Sequence, residues 1–173
     1  VQQFPEFKYG SVNVSEGSIW LANSTIKNGK NHGIVITNDS RLGYFANNTI
    51  TGHEREPLSI NHLAVNQLDG MSSNFSGNNE NYIRIIDAVA TGQLDIKKCN
   101  VPYLVEEGMR IGDWDDITIY PGVELIFEPE ARLVIRGEGT FQALGTPGSE
   151  IQFMGKEDAL GYWEGISINS SSQ

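Results

Sequence analysis

The sequence predicts an all-β solenoid, a right-handed single-stranded parallel β-helix with coils of about 24 residues, on three observations. Short apolar strands alternate with period two, Gly and Pro punctuate them at close intervals, and one segment recurs along the first half of the chain. From Ile117 the apolar side chains fall at Ile117, Ile119, Val123, Leu125, Phe127, Leu133 and Ile135, with further strands at 141–143 and 151–153. Such alternation buries one face of a strand and leaves the other wet. Pro121-Gly122, Glu128-Pro129, Gly137-Glu138-Gly139 and Thr146-Pro147-Gly148 supply the breaks, because these residues end strands and turn the chain.

The recurrence sets the coil. Segments 23–36, 47–60 and 72–85 align, and their apolar anchors Ile26, Ile50 and Phe75 recur at a near-constant interval, the length of one coil. The pairs Ile34/Ile36, Leu58/Ile60 and Ile83/Ile85 keep the same spacing, and polar turns follow each first anchor at Asn28-Gly29, Gly52-His53 and Gly77-Asn78. A unit of this length with several short strands and no helix is one turn of a β-helix, each turn stacked about 4.8 Å above the last. Like residues then sit over like, so Thr25, Thr49 and Asn74 are expected in one ladder. A leucine-rich repeat has a similar period, but its Leu positions are missing. A β-sandwich is the alternative fold, and it leaves the constant interval unexplained. Asn and Gly richness over 23–81 fits tight corners, where Asn tolerates left-handed backbone and stacks in amide ladders. Acceptor-like triplets at Asn13, Asn23, Asn38, Asn47, Asn74 and Asn169 follow from the same composition.

The expected organisation is a single domain over 1–173: residues 1–17 as an N-terminal cap, 18–116 as Asn/Gly-rich coils, and 117–173 as regular coils. The last strand, at 165–168, runs into polar residues where a further coil is expected. A solenoid needs its end strands covered. The chain is therefore expected to be a fragment of a longer solenoid, or to associate end to end with a copy of itself.

Twelve basic against 22 acidic residues give a net charge of −10, a field that repels phosphate backbones and argues against nucleic acid as partner. No apolar run approaches the roughly 20 residues of a membrane span, and the start carries no basic region followed by an apolar block. The single Cys99 excludes an intrachain disulfide and a Cys-based zinc site, and is expected as a small buried side chain.

Residues 117–168 carry Pro121-Gly122-Val123, a stretch from Gly139 to Thr146, Ile151-Gln152-Phe153, and Gly161-Tyr162-Trp163-Glu164-Gly165-Ile166. On these motifs the segment resembles the right-handed β-helix repeat proteins of bacterial surfaces and secretomes, pectate-lyase-like solenoids. The resemblance implies the same fold and an extracellular or cell-surface location. It leaves function open, because that scaffold hosts polysaccharide lyases, hydrolases, adhesins and proteins of no known activity.

Asp113, Asp115 and Asp116 lie in one loop and offer hard oxygen ligands for Ca²⁺. The resemblance implies a role, since lyases of this fold use Ca²⁺ to hold a uronate carboxylate and acidify its α-proton. The competing account is a solvated turn with these carboxylates capping backbone N–H groups. A base would come from Arg84, Lys97, Lys98, Arg132 or Arg136. Arg132 and Arg136 alternate outward on one strand, expected about 7 Å apart, either gripping an acidic glycan or pairing with Glu124 or Glu138. The His-Gly of related hydrolases has a superficial match at His32-Gly33, without its acidic partners; His53 and His62 are expected in turns or at the surface. Among the aromatics, Tyr120 falls on the outward phase of its strand and Tyr162-Trp163 in a loop, where flat rings suit sugar faces. Trp20 and Trp163 have the alternative of packing against the core. Outward Thr is too sparse for an ice-binding ladder. The expected function is a non-catalytic module that binds carbohydrate or serves as scaffold. The alternative is part of a Ca²⁺-dependent polysaccharide lyase or of a glycoside hydrolase.

Overall fold

The computed structural model describes residues 9–87, 89–112 and 115–169. In chain order the first coil contains β1 (Gly10–Val14), β2 (Ser18–Ala22) and β3 (Thr25–Lys27). The second contains β4 (His32–Ile36), β5 (Arg41–Ala46) and β6 (Thr49–Thr51). The third has β7 (Leu58–Ile60) and a short helix, α1 (His62–Asn66), with Asn74 bridging to Thr49 on its third side. Then come β8 (Ile83–Ile85), β9 (Val89–Ala90) and β10 (Leu94–Ile96); β11 (Tyr103–Val105), β12 (Met109–Ile111) and β13 (Ile117–Ile119); and β14 (Glu124–Phe127), β15 (Arg132–Arg136) and β16 (Phe141–Ala143). Strands β17 (Gln152–Gly155) and β18 (Gly165–Asn169) lie above the sixth coil.

The coils stack as a parallel β-solenoid. One side is a seven-stranded sheet, β1-β4-β7-β8-β11-β14-β17; the others include β18-β15-β12-β9, β10-β13-β16 and the pairs β2-β5 and β3-β6. Every strand pair among the described residues is parallel, which excludes the sandwich alternative. The expected register holds: Thr25 faces Thr49, Thr49 bridges to Asn74, and Ile34/Ile36, Leu58/Ile60 and Ile83/Ile85 stack in turn. Along the stack of Val12, Ile34, Leu58, Ile83, Tyr103, Leu125 and Phe153 the steps are uneven. The shortest runs from Ile83 to Tyr103 and the longest from Leu125 to Phe153, so the coil is regular only in the stretch where the repeat is visible.

Inside runs a column of Ile, Leu, Val and Phe, with Ile34, Ile50, Ile60, Phe75, Ile83 and Phe127 fully buried. Corners are turned by left-handed asparagines, Asn23, Asn28, Asn38 and Asn47, at φ of 50, 60, 55 and 55°. Asn48 shows why amides suit the interior of a corner. Its Oδ1 accepts from Ser24 N–H at 3.1 Å while its Nδ2 donates to the Leu21 carbonyl at 2.9 Å, tying one coil to the next. Cys99 is buried as expected, its Sγ 3.0 Å from Tyr103 Oη, and burial pushes the thiol up to about 11.

Two local expectations are corrected. A helix does occur: α1 fills the second side of the third coil, capped by Asn61, whose Oδ1 accepts from Ala64 N–H at 2.8 Å. His53 lies at a corner, as expected, but is buried there, and His62 stands half-buried at the start of α1. His53 is 1% exposed and accepts from Gly29 N–H at 3.2 Å through Nδ1, and His62 Nδ1 is held by Asp87. In the stretch expected as a cap, Gly10–Val14 is a strand paired with β4; residues 1–8 lie outside the described residues.

Candidate functional site

The second strand of each coil buries its odd-numbered side chains where Met109, Ile111, Leu133 and Ile135 point inward, all at 3% exposure or less. The intervening residues therefore face out: Arg110 on β12, and Arg132, Val134 and Arg136 on β15. Register places Arg110 between Val89 and Val134, with Ser167 beyond. These side chains line a groove of about 310 Å³ together with Glu107, Gly108 and Asn169.

The separation expected for Arg132 and Arg136 is too short. Four residues of strand at about 3.3 Å each put their Cα atoms about 13 Å apart. Arg110, one strand over and midway along, lies about 8 Å from each. The three arginines thus stand at the corners of a shallow triangle on one flat strand face. Gly108, at φ +90°, lets the backbones close up, since a Cβ there would meet the Arg132 carbonyl oxygen at 2.9 Å. Arg132 pairs with Glu164 at 3.2 Å rather than with Glu124 or Glu138, because Glu164 immediately precedes Gly165, the register partner of Arg132. Both partners are about half exposed, which makes this a weak pair that a ligand can displace. Arg110 and Arg136 have no ion-pair partner among the described residues.

The other sequence-level candidates are dispersed. Tyr120 is 40% exposed, at the end of β13 on another side. Trp163 is stacked on Phe127, with ring centroids 4.3 Å apart and planes at 9°, so one face of its indole belongs to the core. Tyr162 Oη donates to Glu128 Oε2 at 3.3 Å and its ring lies against Gly155. In the acidic loop, Asp115 Oδ1 accepts from Gly92 N–H at 2.7 Å on the coil below, and Asp116 Oδ1 accepts from Thr140 N–H at 2.8 Å on the coil above. The two carboxylates are thus engaged with different coils; Asp113 and Trp114 lie outside the described residues. Among the described residues no group of three or more His, Cys, Asp or Glu converges as a metal site, and no helix is long and apolar enough to cross a membrane.

Sequence reasoning missed a second charged cluster. His32, Glu56 and Arg84, all 4% exposed or less, meet on the seven-stranded sheet. His32 Nδ1 lies 3.1 Å from Glu56 Oε1, and Arg84 donates through Nε to Glu56 and pairs through Nη1 with Glu106, both at 2.5 Å. Burial pushes the Glu56 carboxyl up, but the His32 contact and the Arg84 charge outweigh it and hold the group down at about 2. Burial likewise works against the Arg84 charge, and Glu106 and Glu56 overcome it. Arg84 is saturated by carboxylates and joins successive coils, so the cluster acts as an internal tie. Arg110 also escaped notice, because its strand is only three residues long and its spacing from Arg132 falls short of the coil period.

No protein-family model, curated protein or solved structure matches this chain.

Proposed function

We propose that this β-solenoid is a non-catalytic extracellular or cell-surface module that binds an acidic polysaccharide across the Arg110–Arg132–Arg136 groove. One observation carries the reading: on a chain of net charge −10, three arginines gather on one flat strand face, two of them without an ion-pair partner among the described residues. Guanidiniums fit carboxylate and sulfate groups by paired N–H donation. The spacing of about 8 Å suits repeated charges along a polymer better than a single small anion. The surface location, and the kinship with pectate-lyase-like solenoids, rest on the motifs Pro121–Val123, Gly139–Thr146 and Gly161–Ile166.

The test is incubation with immobilised acidic and neutral polysaccharides, with and without Ca²⁺, following both retention of protein and new chain ends. Retention on the acidic polymer without cleavage is expected. Binding should weaken with salt and fall at least about tenfold in the Arg110→Gln/Arg132→Gln/Arg136→Gln variant, since losing charge-assisted bonds costs about 1.5–3 kcal/mol each when they are formed. Wild-type retention by that variant would remove the groove from the reading. Ca²⁺-dependent cleavage abolished by Asp115→Ala would replace it with lyase chemistry at the acidic loop.

A further inference from the structure

Strands β2 and β5 pair with a break in register: Ile19 faces Leu42 but Leu21 faces Phe45, so one residue on β2 is opposed by two on β5. This is a β-bulge. The single residue is Trp20; the two are Gly43 and Tyr44. The extra residue has a geometric consequence. Leu42 and Phe45 both stay buried at 2% exposure, so the bulge releases Tyr44 outward, to 60% exposure, on the side where Trp20 stands 75% exposed.

Gly43 then sets the angle of the indole. A Cβ at Gly43 would meet Trp20 Cε2, Cδ2 and Nε1 at 2.5, 2.7 and 2.7 Å. Three neighbouring ring atoms at nearly equal distance mean that the face of the indole, not its edge, lies over Gly43. One face of Trp20 rests on bare backbone and the opposite face is turned to solvent, with Tyr44 beside it. Trp163, by contrast, spends one face on Phe127 within the core. Large aromatics are ordinarily buried, and an adjacent exposed pair is a surface built to meet something.

We infer that Trp20 and Tyr44 form a stacking platform for a neutral pyranose ring, a site of its own beside the arginine groove. The electron-rich face of an aromatic ring attracts the positively polarised C–H groups on the flat side of a sugar, which needs no charge on that sugar. Strands β2 and β5 form a separate sheet from the one that carries Arg110, Arg132 and Arg136, so the platform acts on a ring face without help from the guanidiniums. The inference rests on the reading of this protein as a glycan-binding module, but its chemistry and its place are separate.

Isothermal titration of the full chain with two probes tests it: a neutral β-linked glucose hexasaccharide, and a galacturonate hexasaccharide. The neutral probe is expected to bind wild type, to bind Arg132→Gln/Arg136→Gln equally, and to bind Trp20→Ala at least about tenfold more weakly. Gly43→Val keeps the indole but lifts it off the sheet, and is expected to weaken binding in the same sense. If Trp20→Ala and Gly43→Val bind both probes as wild type does while the arginine variant loses the acidic one, the platform is overturned and the groove stands. If the arginine variant binds both as wild type and Trp20→Ala does not, the groove falls and the platform stands. Failure of wild type to bind either probe overturns both.

Discussion

Glu56 illustrates how much one buried carboxylate decides. It is fully buried, and its carboxylate meets the Arg84 guanidinium and the His32 ring on neighbouring coils. Removing one partner of a buried ion pair leaves the other charge stranded, which costs about 3–5 kcal/mol. Arg84→Met is therefore expected to lower stability by about that amount in urea unfolding. Glu56→Leu combined with Arg84→Met should lose less than the sum of the two single changes. The cluster also predicts an acid limit. The Glu56 carboxyl lies at about 2 in the folded protein against an ordinary 4.5, so the folded state holds the charged form more tightly than the unfolded chain. The stabilisation is complete above pH 4.5 and is lost as pH falls from 4.5 towards 2. The urea midpoint of wild type should fall more steeply over that window than the midpoint of Glu56→Gln. Parallel curves would show that Glu56 is not the responsible group.

At the scale of elements, α1 shows how a solenoid tolerates a foreign piece. Five residues are too few for a helix to hold itself in water, so its stability is borrowed from its ends and its packing. Ala64 and Val65 go into the core. Asn61 does the rest, capping Ala64 N–H while its Nδ2 donates to the Asn38 and Ser40 carbonyls of the coil below, at 2.5 and 2.8 Å. Asn61→Ala removes all three bonds at a fully buried position and is expected to cost about 2–3 kcal/mol. Asn61→Asp keeps the cap acceptor but turns a carboxylate oxygen on the Asn38 and Ser40 carbonyls, so it should be no more stable than Asn61→Ala. Equal stability of Ala and wild type would mean that the helix is held by packing alone.

Across the whole molecule, stability is a sum over coils and the interfaces between them. Those interfaces are uneven. Inward side chains of the middle coils, such as Leu58, Ile83 and Tyr103, are 1% exposed or less. Val12, Ile19, Leu21 and Ile26 at one end, and Phe141, Ile151 and Phe153 at the other, are only partly buried. Hydrogen exchange followed by mass spectrometry should therefore find the slowest amides in β7, β8 and β11, and the fastest in β1–β3 and β16–β18. Uniform protection from end to end would contradict this ordering and show one cooperative unit.

The chain determined by itself whatever depends on local alternation and on recurrence at constant spacing. The coil, the ladder Thr25–Thr49–Asn74, the stacked pairs from Ile34 to Ile85 and the left-handed Asn corners were all legible, because each follows from a residue type at a fixed offset. What lies beside what on the outer surface was decided only in three dimensions. Coil length drifts, from the short step between Ile83 and Tyr103 to the long one between Leu125 and Phe153. With a side-chain period of two, an offset of one residue reverses the face presented. So Arg110 joins Arg132 and Arg136, Glu164 reaches Arg132, and one extra residue in β5 turns Tyr44 outward beside Trp20. Burial of the core is written along the chain; the chemistry of the surface depends on how many residues each coil takes to come round.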